Sequence, residues 1–139
     1  MAEVLRNLGV QRAWVFHGVG GLDEFSLLES TRVSEVSSGE IRTFIVTPEE
    51  LGFRRTGLQE LEGGDAAYNA RLILRILQGD IRTAPREIVV LNAAVGLYVG
   101  GKASNIKTAA RMAREAIDSG AALRLLQRFQ EITHDGNRE

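Results

Sequence analysis

The feature that most constrains this chain is a short, unbroken apolar run, Ala13-Trp14-Val15-Phe16, that stops at His17. A cluster of three glycines, Gly18, Gly20 and Gly21, follows, and then two adjacent carboxylates, Asp23 and Glu24. The run is rich in β-branched and aromatic residues and reads as a buried strand. Glycines let the backbone turn sharply at its carboxyl end. In open α/β sheets that edge is where ligands bind. Asp23 and Glu24 stand where a hydrated divalent cation can be held near a phosphate-bearing substrate, because Mg²⁺ usually takes one or two carboxylates plus waters and phosphate oxygens. The same residues have a plainer reading. Paired loop acids are often only solvated, Asp23 can cap a short turn over 25–28, and His17 can be a hydrogen-bonded strand end rather than a base. The local pattern leaves both readings open.

Size and charge exclude several classes. At 139 residues, 44% hydrophobic and 25% charged, the chain is expected to form one globular domain with a real core. A net charge of −1 offers no basic field, so no nucleic-acid partner is expected. The chain has no cysteine, which excludes disulfides, iron–sulfur clusters and thiolate zinc sites. Glu3 and Arg6 interrupt the first apolar residues, so no secretory leader is expected. The longest apolar segment, 88–99, is broken by Asn92 and is too short to span a bilayer. A soluble, cytoplasmic protein with no membrane partner is the expectation.

Taken in order, Val4, Leu5 and Leu8 followed by Gly9 suggest the end of a helix. A strand is expected at about 11–17. Alternating residues over 31–36 and 41–46, joined at Ser37-Ser38-Gly39-Glu40, predict a β-hairpin. Thr47-Pro48-Glu49-Glu50 predicts a one-turn helix ended by Gly52. Arg54 and Arg55 follow; such a pair can clamp a phosphate or carboxylate, or simply be solvated or salt-bridged. Leu58 and Leu61 are expected to anchor this loop on the core. In Gly63-Gly64-Asp65 the acid is expected to cap a helix over 66–77. No apolar strand precedes these glycines, so they are not read as a phosphate loop. Pro85 opens a helix over 86–100, apolar nearly all round and therefore expected to be buried, with Ala93, Ala94 and Gly96 allowing close approach of neighbouring backbones. Ser104 is expected to cap a helix over 105–119, and a last helix runs from 121 to about 133, before a frayed polar tail over 134–139. The four later helices are expected to pack around the sheet.

Together these residues resemble the carboxyl-terminal part of the anthranilate phosphoribosyltransferase family. The resemblance is carried by His17-Gly18 with Gly21-Leu22-Asp23-Glu24, Thr47-Pro48-Glu49, and Gly63-Gly64-Asp65 with Asn69-Ala70. It continues through Leu91-Asn92-Ala93-Ala94, Leu97-Tyr98-Val99 with Gly101-Lys102-Ala103, and Ala113-Arg114-Glu115-Ala116-Ile117 leading to Ser119-Gly120. It implies the carboxyl-terminal part of a phosphoribosyltransferase or nucleoside phosphorylase-like α/β domain, with a mixed sheet, a β-hairpin and packed helices. Residues 1–139 would form a single partial domain.

The family is a glycosyltransferase of tryptophan biosynthesis that moves a phosphoribosyl group from phosphoribosyl pyrophosphate to anthranilate and requires Mg²⁺. The resemblance carries Asp23 and Glu24 over as metal ligands; it carries over no catalytic or substrate-binding residue, and His17 only as part of the motif. A cation there would neutralise charge gathering on departing pyrophosphate without proton transfer. The complete enzyme is implied to be a homodimer. Its amino-terminal helical domain and its Gly-Thr-Gly-Gly-Asp phosphate loop have no counterpart here, and Glu29-Ser30 replaces the Gly-Pro often found before the hairpin threonine. The isolated chain is therefore expected to be inactive without an amino-terminal half. Two alternatives stand beside this: part of a pyrimidine-nucleoside phosphorylase-like enzyme, against which Gly21-Leu22-Asp23-Glu24 argues, and a non-catalytic binding module.

Overall fold

A computed structural model describes residues 1–18 and 21–135. Val19 and Gly20 of the glycine cluster, and residues 136–139 of the polar tail, lie outside the described residues. A short helix, α1 (Ala2–Asn7), precedes three strands, β1 (Arg12–Gly18), β2 (Thr31–Ser37) and β3 (Glu40–Val46). After a 3₁₀ turn at Leu58–Glu60 come α2 (Ala66–Leu77), α3 (Ala84–Val99), α4 (Ile106–Asp118) and α5 (Ala121–Asp135). The class is α/β, as expected.

Among the described residues the sheet has the order β1-β2-β3 and is antiparallel throughout, not mixed. The reason lies in the connections. The two-residue turn at Ser38-Gly39 folds β3 straight back on β2, and among the described residues no helix stands between one strand and the next to make the crossover that a parallel neighbour needs. Ser38 and Gly39 both have positive φ, 50° and 85°, the geometry that suits a tight hairpin. Register places Phe16 opposite Val33 and Val33 opposite Phe44.

The core lies where β1 and β2 meet α3. Val33, Val90, Leu91 and Ala94 are wholly buried, and Trp14 packs edge-on to Tyr98 at 5.2 Å. The helices do not surround the sheet. α3 lies against β1, α4 packs on α3, and α2 and α5 pack on α4. Arg86 fixes this stack from inside: it is 5% exposed and donates to Asp118 at the end of α4, at 2.8 Å. With β1 and α4 as its chief neighbours, α3 is not buried all round. Val89 is 40% exposed, and with Ala93 and Gly96 it lines an apolar hollow of about 470 Å³.

Other details differ from the sequence reading. Thr47 and Glu50 make reciprocal cap bonds, 2.7 Å from Thr47 N–H to Glu50 Oε2 and 3.3 Å from Glu50 N–H to Thr47 Oγ1. The chain nevertheless completes only a turn before Gly52 takes φ +85°. Leu58 is 58% exposed and anchors nothing; Phe53, at 5%, closes the core there. Asn105, not Ser104, caps α4, accepting from Thr108 N–H at 2.9 Å. α5 continues through Asp135, into the expected tail.

Candidate metal centre

After β1, Gly18 and Gly21 permit close approach of the chain to itself. Gly18 N–H donates to the Leu22 carbonyl at 2.9 Å, and Gly21 N–H to the Gly18 carbonyl at 3.1 Å. A Cβ on Gly18 would meet the Glu24 carbonyl and the Leu22 and Ser26 Cβ atoms, each at 3.2 Å. Gly21 has φ +97°, a region that side chains disfavour.

Asp23 and Glu24 emerge from this turn exposed. Directly after them the chain dives inward: Phe25, Ser26 and Leu27 are each 1% exposed. The Phe25 ring lies 4.6 Å from Phe16 and stacks on Trp14 at 5.8 Å. Ser26 Oγ accepts from Leu28 N–H at 2.9 Å and Glu29 N–H at 3.3 Å, and Ser26 N–H donates to Thr31 Oγ1 at 3.2 Å. The turn over 26–29 is thus organised by Ser26, and the capping role considered for Asp23 falls away.

Below the loop, Trp14 is held by its indole N–H, which donates to Glu35 at 2.9 Å, while Arg42 donates to the other Glu35 oxygen at 2.6 Å. Burial would raise the Glu35 pKa, but these two hydrogen bonds and the charges of Arg42 and Arg12 outweigh it, leaving the carboxyl below its ordinary 4.5.

No ion pair or side-chain hydrogen bond among the described residues engages Asp23 or Glu24, and none of these residues forms a group of three or more His, Cys, Asp or Glu side chains able to hold a metal. Two carboxylates with open oxygens fit a hydrated Mg²⁺ that takes its other ligands from water and phosphate; they do not fit a cation caged entirely by protein. His17, exposed at the end of β1, sits opposite Arg32. Arg54 and Arg55 are paired, with Glu60 at 3.6 Å and Glu49 at 3.1 Å; the hydrogen bond from Arg55 holds the Glu49 pKa down. That favours the salt-bridged reading of this pair over a substrate clamp.

Sequence reading passed over the part played by Asn92. Its side chain reaches from α3 to the peptide that follows the acids, accepting from Phe25 N–H at 3.0 Å and donating to the Phe25 carbonyl at 3.2 Å. The available signal was one amide inside the most apolar run of the chain.

Residues 1–123 match the family described as "Glycosyl transferase family, a/b domain", and the chain belongs to that family. Among curated relatives, anthranilate phosphoribosyltransferase of Chelativorans sp. (strain BNC1) is 46% identical over 134 residues, which is 96% of this chain and 39% of that protein. The crystal structure of anthranilate phosphoribosyltransferase from Thermus thermophilus superposes with a TM-score of 0.82 at 41% identity, covering 92% of this chain and 37% of the other. The Saccharomyces cerevisiae enzyme in complex with PRPP and Mg superposes with a TM-score of 0.77 at 26% identity, covering 86% and 34%. The chain therefore spans about two fifths of the length of the curated relatives it matches. No helix among the described residues is long and apolar enough to cross a membrane.

Proposed function

We propose that this chain is the carboxyl-terminal, Mg²⁺-binding part of an anthranilate phosphoribosyltransferase of tryptophan biosynthesis. Asp23 and Glu24 are its metal ligands. The observation that carries this reading is the pair itself: two exposed carboxylates, without protein partners among the described residues, presented by a glycine turn at the end of β1. The relatives' names supply the substrates, phosphoribosyl pyrophosphate and anthranilate, and the yeast complex supports Mg²⁺. When bound, the cation offsets negative charge gathering on the departing pyrophosphate. The chain's own contribution is to hold two anionic oxygen donors on a fixed loop, where the same charge also favours a sugar carbon turning positive.

Residues 1–139 act as a single partial α/β domain completed by an amino-terminal half that carries the phosphate loop. The complete enzyme is cytoplasmic and homodimeric.

The test is reconstitution. Fusing the amino-terminal half of a relative ahead of Met1, or adding it in trans, is expected to give Mg²⁺-dependent phosphoribosylation of anthranilate, while the isolated chain is inactive. Asp23→Asn with Glu24→Gln in the restored enzyme should cut turnover sharply without unfolding it. Strong turnover by the isolated chain contradicts the partial-domain reading, and indifference to the double substitution removes the metal assignment. Thymidine with inorganic phosphate, offered to the same preparation, is expected to give no product.

A further inference from the structure

Phe25, the residue that follows the acidic pair, is held by a side chain 67 residues further along the chain. Asn92 is half-buried, on a helix whose Val90, Leu91 and Ala94 are wholly buried. A polar amide in such a place is costly unless its hydrogen bonds are made. They are made. Oδ1 accepts from Phe25 N–H at 3.0 Å, and Nδ2 donates both to the Phe25 carbonyl at 3.2 Å and to the Ile88 carbonyl at 3.0 Å. Amide orientation follows from the partners, since an N–H needs the oxygen and two carbonyls need the nitrogen. The amide therefore grips both polar groups of one residue, and that residue directly follows Glu24.

We propose that Asn92 is a positioning residue for the acidic pair, fixing through the Phe25 backbone the direction in which Asp23 and Glu24 present their carboxylates. The proposal rests on the metal reading of that pair. Packing of Phe25 against Trp14 and Phe16 buries a ring but sets little direction, because apolar contact is non-directional. A two-point amide clamp sets it. At the other end of the segment, Gly18 N–H holds the Leu22 carbonyl. Residues 22–25 are thus strung between two fixed points, the Gly18 backbone on β1 and the Asn92 side chain on α3, with the two acids between them. Groups that orient metal ligands typically change metal affinity by about 10–100-fold when removed.

The experiment uses the chain as it stands, with Mn²⁺ alone as the probe. Broadening of amide resonances in the loop reports binding, and hydrogen exchange reports the clamp. In the wild type, Phe25 N–H is expected to exchange as slowly as the amides of α3, and more slowly still once Mn²⁺ is bound; fast exchange overturns the proposal without any variant. Asn92→Leu should keep its far-ultraviolet circular dichroism, speed exchange at Phe25 at least about tenfold, leave β2 and β3 unchanged, and raise the Mn²⁺ dissociation constant about 10–100-fold. If Phe25 loses protection while Mn²⁺ affinity stays at the wild-type value, Asn92 serves only the fold and the proposal fails. Should Asn92→Leu not fold, Asn92→Asp keeps the volume and the acceptor for Phe25 N–H but loses both donors, and the same two readouts decide. Asp23→Asn with Glu24→Gln is expected to abolish loop broadening while Phe25 stays protected. If that variant binds Mn²⁺ as the wild type does, the metal reading is the part that has failed, and the positioning role falls with it.

Discussion

The turn after β1 and the turn before α2 are built from the same parts: glycines, an acid, and an asparagine that grips a residue by both its N–H and its C=O. Before α2, Asn69 accepts from Gly64 N–H and donates to the Gly64 carbonyl, each at 2.9 Å, across five residues. Asp65 spends its Oδ1 on Tyr68 N–H at 2.7 Å, so its carboxylate belongs to the helix. After β1 the grip comes from Asn92, far along the chain, and Asp23 and Glu24 are left without partners among the described residues. Where the clamp comes from a distant helix the local acids carry no cap among the described residues; where it is made within the turn the acid is a cap.

The largest effect is expected from Phe25→Ala. The ring is the buried floor of the distant-clamp turn, and its loss should cost about 3–5 kcal/mol, read by urea denaturation. A cost below about 1 kcal/mol would mean that the turn is not anchored as described. Leu91→Ala removes the wholly buried neighbour of Asn92 in α3 and should cost about 2–5 kcal/mol; a near-zero cost would detach the clamp from a rigid core. Asp65→Ala tests the local turn. It should cost about 1 kcal/mol, the usual value for losing an N-cap, and leave Mn²⁺ binding at Asp23 and Glu24 unchanged. A fall in Mn²⁺ affinity would show that the two turns are not independent.

The smallest effect is expected from acid. Glu35 holds the Trp14 indole beneath Phe25, and its folded-state pKa lies below the ordinary 4.5. The unfolded chain thus binds the proton first as pH falls, so the stability Glu35 contributes is complete above about pH 4.5 and is lost as pH drops through the folded-state value. Urea midpoints followed by Trp14 fluorescence should decline below that pH, and Glu35→Gln should flatten part of the decline. An unchanged slope in Glu35→Gln would separate Glu35 from the loop's support.

Local chemistry was readable from sequence at several places where the partners are close in the chain, though not at α4, where Asn105 rather than Ser104 is the cap. Asp65 and the helix Ala66–Leu77 are an acid and the N–H groups that follow it within one turn. The hairpin at Ser38-Gly39 is two residues with positive φ between alternating strands. Asp23 and Glu24 were visible as an acidic pair because glycines and a strand flank them directly. Leu58 failed as an anchor for the complementary reason: apolar character says that a side chain gains from burial, but not whether a neighbour will be there to bury it.

Residue order alone set which segments are strands and helices, that Asp65 caps α2, and which two acids follow β1, because those choices rest on backbone preferences and bonds spanning a few residues. Packing settled that Val89, Ala93 and Gly96 of α3 border an apolar hollow, that the described strands all run antiparallel, and that Asn92 closes on Phe25. Those outcomes depend on which surfaces meet across long stretches of chain, and a hydrogen bond 67 residues long in sequence exists only once the core between its partners has packed.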